Sequence, residues 1–204
     1  MIILVIGEEN SLKELSQNTS GIEWRNIMNI NAASAYPTAD AIFNLSPDAI
    51  YEDYSCLKIP VFVNSVNITL KAAKAAPSVC RINGWNGFLK RETWEVAGDI
   101  STTHEAILSS LQKKIIHAKD EPGFISARII SMIINEAFFA REENISTESE
   151  IDIAMKLGTN YPFGPFEWAS SIGEKNVCEL LTSLCKTDAR YQPSFLLQQV
   201  AAKS

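Results

Sequence analysis

Between residues 1 and 97 the chain places six short runs of apolar and β-branched residues, at 2–6, 23–28, 41–44, 61–64, 79–83 and 93–97. Each is bounded by Gly, Pro, Asn, Asp or Ser, which is how strands are punctuated. Two intervening segments, 11–17 and 68–76, carry a helical pattern. Strands alternating with helices predict a mainly parallel α/β sheet. The short gaps predict that some crossovers shrink to single turns. From Gly98-Asp99 onward the pattern is helical. Thr102 with Glu105, and Thr147 with Glu150, read as capping boxes. Pro122-Gly123 reads as a helix opening, Gly164-Pro165 as another, and Gly173 and residues 186–188 as stops. Five helices are predicted, over 103–117, 123–142, 148–157, 165–185 (broken at Gly173) and 193–201. The fold class is α/β plus all-α, with domains at 1–99 and 100–204.

The chain has 204 residues, 46% hydrophobic and 21% charged, the composition of a globular protein with a real core. Its net charge of -6 is divided as -3 on each side of residue 99/100. That argues against a nucleic-acid partner, whose phosphates attract basic surfaces. MIILVI is too short for a secretory signal and lacks a basic flank. No apolar run approaches the ~20 residues that span a bilayer. Cys56, Cys80, Cys178 and Cys185 show no C-x-x-C spacing and have only His104 and His117 as companions, so no metal site is expected. A cytoplasmic protein with reduced thiols is the expectation. The N-x-S/T triplets at Asn18, Asn67 and Asn144 then carry no meaning.

In the long predicted helix, Ile129, Ile130, Met132, Ile133, Ile134, Ala137, Phe138 and Phe139 surround the axis. A helix apolar all round is buried all round, and a partner subunit is the expected cover.

The opening MIILVIGEEN has the strand, glycine and helix order of a dinucleotide-binding turn. That turn needs G-x-G-x-x-G. The three positions are Gly7, Glu9 and Leu12, and only the first is glycine.

The second half carries D-E-P-G-F-I-S-A-R at 120–128, followed by Asn135-Glu136. It continues with I-D-I-A-M-K-L-G-T-N-Y-P-F-G-P-F-E-W at 151–168, Ile172-Gly173, and R-Y-Q-P-S-F-L-L at 190–197. In order and content these motifs resemble the carboxy-terminal domain of the 3-hydroxyacyl-CoA dehydrogenases, over roughly residues 78–201. The resemblance implies a shortened Rossmann-like parallel sheet, then a helical domain of the 6-phosphogluconate-dehydrogenase-C-terminal-like kind that dimerises. On physical grounds alone, Gly158, Pro162, Gly164 and Pro165 are architectural, because Gly and Pro chiefly set backbone angles.

Members of that family oxidise a 3-hydroxyacyl-CoA with NAD, which needs a base and a bound cofactor. The resemblance puts the base histidine of G-x-H-F-F-N-P on 81–90, where Gly84 matches and Asn86 takes the histidine's place. A primary amide is no base near neutral pH. The histidine's glutamate matches Glu95. The substrate-holding S-N-T-S-S stretch falls on 63–67, with Asn64 aligned and Ser65 in place of threonine. The asparagine of P-G-F-x-x-N-R is Ala127. Glu9 stands where the pyrophosphate approaches, beside Glu8. Asn29, Ile30 and Asn31 stand where the ribose carboxylate belongs. No catalytic or cofactor position is therefore expected to be intact, and no NAD is expected to bind.

Three functional readings follow. The first is a 3-hydroxyacyl-CoA dehydrogenase-like protein of fatty acid metabolism, without the usual dehydrogenase activity (a pseudoenzyme) but retaining acyl-CoA or partner binding, as a homodimer through the helical domain. The second is an active NAD-dependent enzyme with a rearranged site, using Glu95 or His117. The third is an interaction module forming mixed dimers with an intact dehydrogenase. His104, in a capping turn, is expected at the surface, and His117 to be solvated or structural. Lys58, Lys71, Lys74, Lys90 and Arg91 are expected to be solvated charges, with CoA phosphates as the alternative partner.

Overall fold

A computed structural model of the chain describes residues 1–17 and 19–203. Asn18, which opens one of the N-x-S/T triplets, lies outside the described residues. The chain divides into two compact units, Met1–Phe124 and Ile125–Ser204.

In the first unit, seven strands among the described residues form one sheet: β1 (Ile2–Ile6), β2 (Glu23–Asn26), β3 (Ala41–Asn44), β4 (Val61–Asn64), β5 (Val79–Ile82), β6 (Thr93–Ala97) and β7 (Lys114–His117). Their order is β2-β1-β3-β4-β5-β6-β7. Every neighbouring pair is parallel except β5–β6. Parallel strands are buried on both faces and so read as continuous apolar runs. In β1, residues Ile3 to Ile6 are all buried, and burying each such side chain contributes about 1.5–3 kcal/mol.

One face of the sheet packs Ile3, Val5, Phe43, Phe62, Ile82 and Val96 against Leu15 of α1 (Glu9–Ser16) and Ile107 and Leu108 of α3 (Thr102–Ser110). The rings of Phe43 and Phe62 stack at 4.6 Å. On the other face, a 3-10 turn at Ile30–Ala35, another at Ala49–Tyr51 and the single-turn α2 (Leu70–Ala73) replace longer helices. This is the predicted shrinkage of the crossovers.

The expected boundary at 99/100 is corrected, because the predicted helix 103–117 is a helix and a strand. The helix stops where Gln112 turns to φ +57 and Lys113 N–H bonds back to the Leu108 carbonyl. Ile115 and Ile116 then pair with Trp94 and Glu95 as β7 at the sheet edge. Isoleucines suit a pleated, half-buried surface, and the open edge of β6 decides between the two states.

A buried cation ties the end of this unit to its middle. Arg81, on β5, is 0% exposed. Its Nη1 donates to the carbonyls of Ser65 and Ile68 at 3.0 and 2.9 Å, and its Nη2 to that of Glu121 at 2.6 Å. Its guanidinium lies 4.5 Å from the centre of the Phe124 ring. Nε is 2.8 Å from Asp120 Oδ1, an ion pair without an aligned hydrogen bond. Burial brings the guanidinium down to about 10, with Asp120 opposing that fall. Asp120 in turn accepts the Leu70 and Lys71 N–H groups, each at 3.0 Å, and so caps α2 from a distance of 50 residues along the chain. Pro122-Gly123 is therefore part of a clasp and not the start of the long helix. Gly123 and Phe124 both have positive φ, +85 and +48, and the helix begins after them.

The second unit contains α4 (Ser126–Glu142), α5 (Glu148–Thr159), α6 (Pro165–Ile172), α7 (Glu174–Cys185) and α8 (Phe195–Ala201). The break at Gly173 stands as read. Ile130, Ile134, Ala137 and Phe138 of α4 are buried, but Ile125 and Ile129 stay 50% and 56% exposed. Burial within the chain is thus not all round.

Asn135 of α4 donates to the Gln192 carbonyl at 2.9 Å and accepts Ser194 N–H at 2.8 Å, so it holds the Y-Q-P-S segment against the helix. Asp152 of α5 accepts the N–H groups of Phe166 and Glu167 at 2.8 and 3.2 Å and caps α6. A Cβ on Gly164 would lie 2.3 Å from that carboxylate, whereas one on Gly158 would meet nothing. Of these two motif glycines, Gly164 alone is sterically required.

α5 buries only Asp152. Its Ile153 and Leu157 are 51% and 82% exposed. No helix among the described residues is long and apolar enough to cross a membrane.

Removing one partner of a buried ion pair strands the other charge and costs about 3–5 kcal/mol. Asp120→Ala is expected to destabilise the protein by that amount in urea unfolding, more than Asp188→Ala at the exposed Asp188–Arg190 pair.

Candidate functional site

In an open parallel sheet, ligands bind outside the carboxyl ends of the strands where the strand order reverses. Here the reversal lies between β1 and β3, since the chain leaves β1 for β2 on one side and returns to β3 on the other. The surrounding segments are the turn at Gly7, the ends of β3 and β4, and the loop 83–92.

Gly7 is there for packing: a Cβ on it would come within 3.0 Å of Leu45 Cβ. Glu8 precedes α1 without a side-chain cap bond. Glu9 is an exposed carboxylate 2.8 Å from Lys13, and this hydrogen-bonded pairing holds its carboxyl below the usual range. Leu12 packs half-buried against the core. β2 ends at Asn26, and Asn29 spends its side chain accepting Ala32 N–H at 3.2 Å. Ile30 and Asn31 lie in the turn that it caps. The three turn positions hold a packing glycine, a surface acid and a core residue. Two acids flank the helix N-terminus, whose dipole favours an anionic ligand. These residues do not fit the pyrophosphate turn of a dinucleotide.

The end of β3 carries a polar network that no motif signalled. Asn44 is fully buried. Its Nδ2 donates to Tyr54 Oη at 2.9 Å and Glu52 Oε1 at 3.1 Å, and its Oδ1 accepts Ser46 N–H and Oγ–H at 3.1 and 2.7 Å. Burial pushes the Tyr54 hydroxyl well above its ordinary value, and that hydroxyl donates to the Ala49 carbonyl at 2.7 Å.

At the end of β4, Asn64 Oδ1 accepts Gly84 N–H at 3.0 Å, and a Cβ on Gly84 would sit 2.7 Å from Asn64 Cγ. Ser65 is buried and donates its hydroxyl to the Ile68 carbonyl at 2.7 Å. The two residues expected to hold substrate thus hold neighbouring loops.

The loop after β5 is tied down at several points. Both Glu14 oxygens accept Gly87 N–H, at 2.9 and 3.0 Å. The Leu89 carbonyl accepts Trp94 Nε1–H at 3.1 Å and Lys113 Nζ at 3.0 Å. Trp85, Phe88 and Leu89 are buried. Asn86 is exposed between them. Glu95 is half-buried on β6, and its charge opposes the fall that burial imposes on Arg91. His117 is exposed at the end of β7, in register with Val96. Ala127 is fully buried on α4 in the other unit.

His104 corrects the expectation of a surface residue. It is 4% exposed, with Nδ1 2.7 Å from Ser101 Oγ, Nε2 3.1 Å from the Ser78 carbonyl, and its ring edge-on to Phe62. The capping residue is Ser101, one place earlier than read. Lys58, Lys71, Lys74 and Lys90 are exposed. Among the described residues no three His, Cys, Asp or Glu side chains could hold a metal ion. Burial, with Asp99 adding, pushes the Cys80 thiol up to about 12.

Residues 123–204 match the family described as 3-hydroxyacyl-CoA dehydrogenase, C-terminal domain. The chain is 39% identical over 105 residues to 3-hydroxyadipyl-CoA dehydrogenase of Escherichia coli K12, covering 50% of this chain and 22% of that protein. It is 34% identical over 98 residues to the human mitochondrial hydroxyacyl-coenzyme A dehydrogenase, covering 47% and 31%. The chain thus matches well under half the length of these relatives.

At the level of fold the likeness is wider. (S)-3-hydroxybutyryl-CoA dehydrogenase PaaH1 from Ralstonia eutropha superposes with a TM-score of 0.72 at 18% identity, covering 99% of this chain and 93% of that one. FadB2 of M. tuberculosis gives 0.78 at 13%, covering 98% and 93%.

The close fit at Gly84 sets an expectation for stability. Gly84→Ala must displace Asn64 and is expected to cost about 1–3 kcal/mol. Asn86→His, at an exposed position, is expected to stay within about 0.5 kcal/mol of the parent; paired thermal melts check both. Residues 123–204 thus form a domain of the kind described as 3-hydroxyacyl-CoA dehydrogenase, C-terminal domain, and it is this domain that the family model identifies.

Proposed function

We propose that the chain is a 3-hydroxyacyl-CoA dehydrogenase-like protein that does not carry out NAD-dependent hydride transfer and retains acyl-CoA or partner binding. The observation that carries this reading is Asn86, an amide where the family's base belongs, in a loop fixed by Glu14, Trp94 and Lys113. The turn with Glu8 and Glu9 at the helix N-terminus supports it independently, because it sets two negative charges beside the place of a pyrophosphate. NAD, the family's cofactor, is accordingly not part of the proposed activity.

Hydride transfer needs both a base and a held acceptor, so one reversal should not restore it. A positioned base typically contributes about a hundred- to ten-thousand-fold. Wild type, Asn86→His and Glu9→Gly are each expected to oxidise NADH with acetoacetyl-CoA no faster than a blank. Calorimetric titration with NADH is expected to show weak binding or none. Robust wild-type turnover would overturn the reading. Loss of that turnover in Glu95→Gln or His117→Ala would then identify the base.

The partner surface is proposed on α5. A twelve-residue helix is marginal by itself, and this one leaves Ile153 and Leu157 uncovered in the single chain. A second copy of the helical unit covers them in the homodimer we propose; obligate interfaces bury about 2,000 Å² or more. Leu157→Glu is expected to yield a folded monomer, with unchanged circular dichroism and half the sedimenting mass. A monomeric wild type at micromolar concentration would reject the dimer. Co-purification of an intact dehydrogenase with this chain would favour the mixed pair.

A further inference from the structure

The loop after β5 reads N-G-W-N-G, two Asn-Gly pairs within five residues at 83–87. Asparagine is a thermolabile residue. Its side-chain carbonyl carbon is open to attack by the backbone nitrogen of the next residue, and glycine there removes the hindrance of a Cβ and gives the chain the freedom to close a five-membered ring. The two pairs differ in exposure and in what holds the nitrogen of the following glycine.

Asn83 is 8% exposed, and its Oδ1 is occupied by Trp85 N–H at 3.1 Å. Gly84 N–H is held by a neutral amide oxygen of Asn64, and any atom added at its Cβ position would strike that side chain at 2.7 Å. Asn86 is exposed. Gly87 has φ +84, and nothing lies closer to its Cβ position than Lys90 Cε at 3.8 Å. Its N–H points at a carboxylate, with both Glu14 oxygens within 3.0 Å. A backbone N–H held by a carboxylate, an exposed asparagine before it and an uncrowded glycine therefore coincide at the second pair and not at the first.

We propose that Asn86 is a self-modification site, deamidated by attack of the Gly87 nitrogen with Glu14 as the base. The Gly87 nitrogen bonds to Asn86 Cγ while its proton passes to Glu14. Glu14 returns that proton to the side-chain nitrogen, the Cγ–N bond breaks and ammonia leaves, giving a succinimide. Water then opens the ring at either carbonyl, leaving aspartate or isoaspartate. No oxidant or metal is involved. The product adds a negative charge one residue from the amide that Glu14 holds. Like charges at that spacing weaken the clasp of the loop, so the modification loosens it. The inference stands whether or not the chain retains dehydrogenase activity.

The test incubates the full-length folded protein at mildly alkaline pH and follows both asparagines by peptide mass spectrometry. Asn86 is expected to convert while Asn83 stays intact, and the two are expected to convert at similar rates once the chain is unfolded in guanidinium. Glu14→Gln, which keeps an acceptor oxygen but no base, and Glu14→Asp, which withdraws the carboxylate by a methylene, are each expected to slow conversion at Asn86 by about tenfold or more, the lower part of the range for a positioned base. Equal conversion of the two asparagines in the folded protein, no conversion at Asn86, or an unchanged or faster rate in the Glu14 variants would overturn the proposal.

Discussion

A single guanidinium organises the end of the sheet unit. Arg81 leaves water completely, and a charge does that only where its donors find acceptors. Two of those acceptors are carbonyls of the loop after β4, a third is the carbonyl of Glu121, and Asp120 supplies the opposite charge. Because Asp120 also caps α2, one ion pair fixes β5, the crossover turn and the segment leading out of the sheet together. The D-E-P-G-F motif is therefore an anchoring device. Its proline, glycine and left-handed Phe124 shape a bend whose ring then covers the cation.

The same economy governs the strand ends. In a ligand-binding α/β sheet, polar groups there wait for a ligand. Here Asn44, Asn64 and Ser65 spend hydrogen-bonding groups on the chain itself. An asparagine at a strand end satisfies backbone donors that the ladder has left behind, and a buried unpaired donor costs about 1–3 kcal/mol. That cost is enough to explain these amides without a substrate. Kinship in the helical domain and the shared fold of the sheet unit consequently say less about chemistry than the commitments of individual side chains.

The two units also differ in what their sequences must satisfy. Residues 123–204 match the family model, and they are also the residues whose motifs tie helix to helix through Asn135, Asp152 and Gly164. Such ties tolerate little change, because each depends on one side-chain length at one register. Over both units together the chain resembles its structural neighbours in fold at 13–18% identity. A parallel sheet asks mainly for apolar volume on both faces, so it constrains the identity of single residues less than such ties do.

The residues alone determined the sheet with its reduced crossovers, the helical second half and the break at Gly173, because apolar period, caps and Gly-Pro punctuation are local signals; the likeness of the second half to a known domain rested instead on the order of its motifs. The resemblance set Glu9, Asn86 and Ala127 against a glycine, a histidine and an asparagine, and from that came the expectation of a changed site. Tertiary structure decided whatever depended on a partner far along the chain. Lys114 to His117 became strand rather than helix because β6 offered an open edge. His104 went inside because a carbonyl 26 residues away met its ring. Arg81 and Asp120, ordinary charges when read in line, became the buried pair on which the unit closes, since burial is a property of the surroundings and not of the residue.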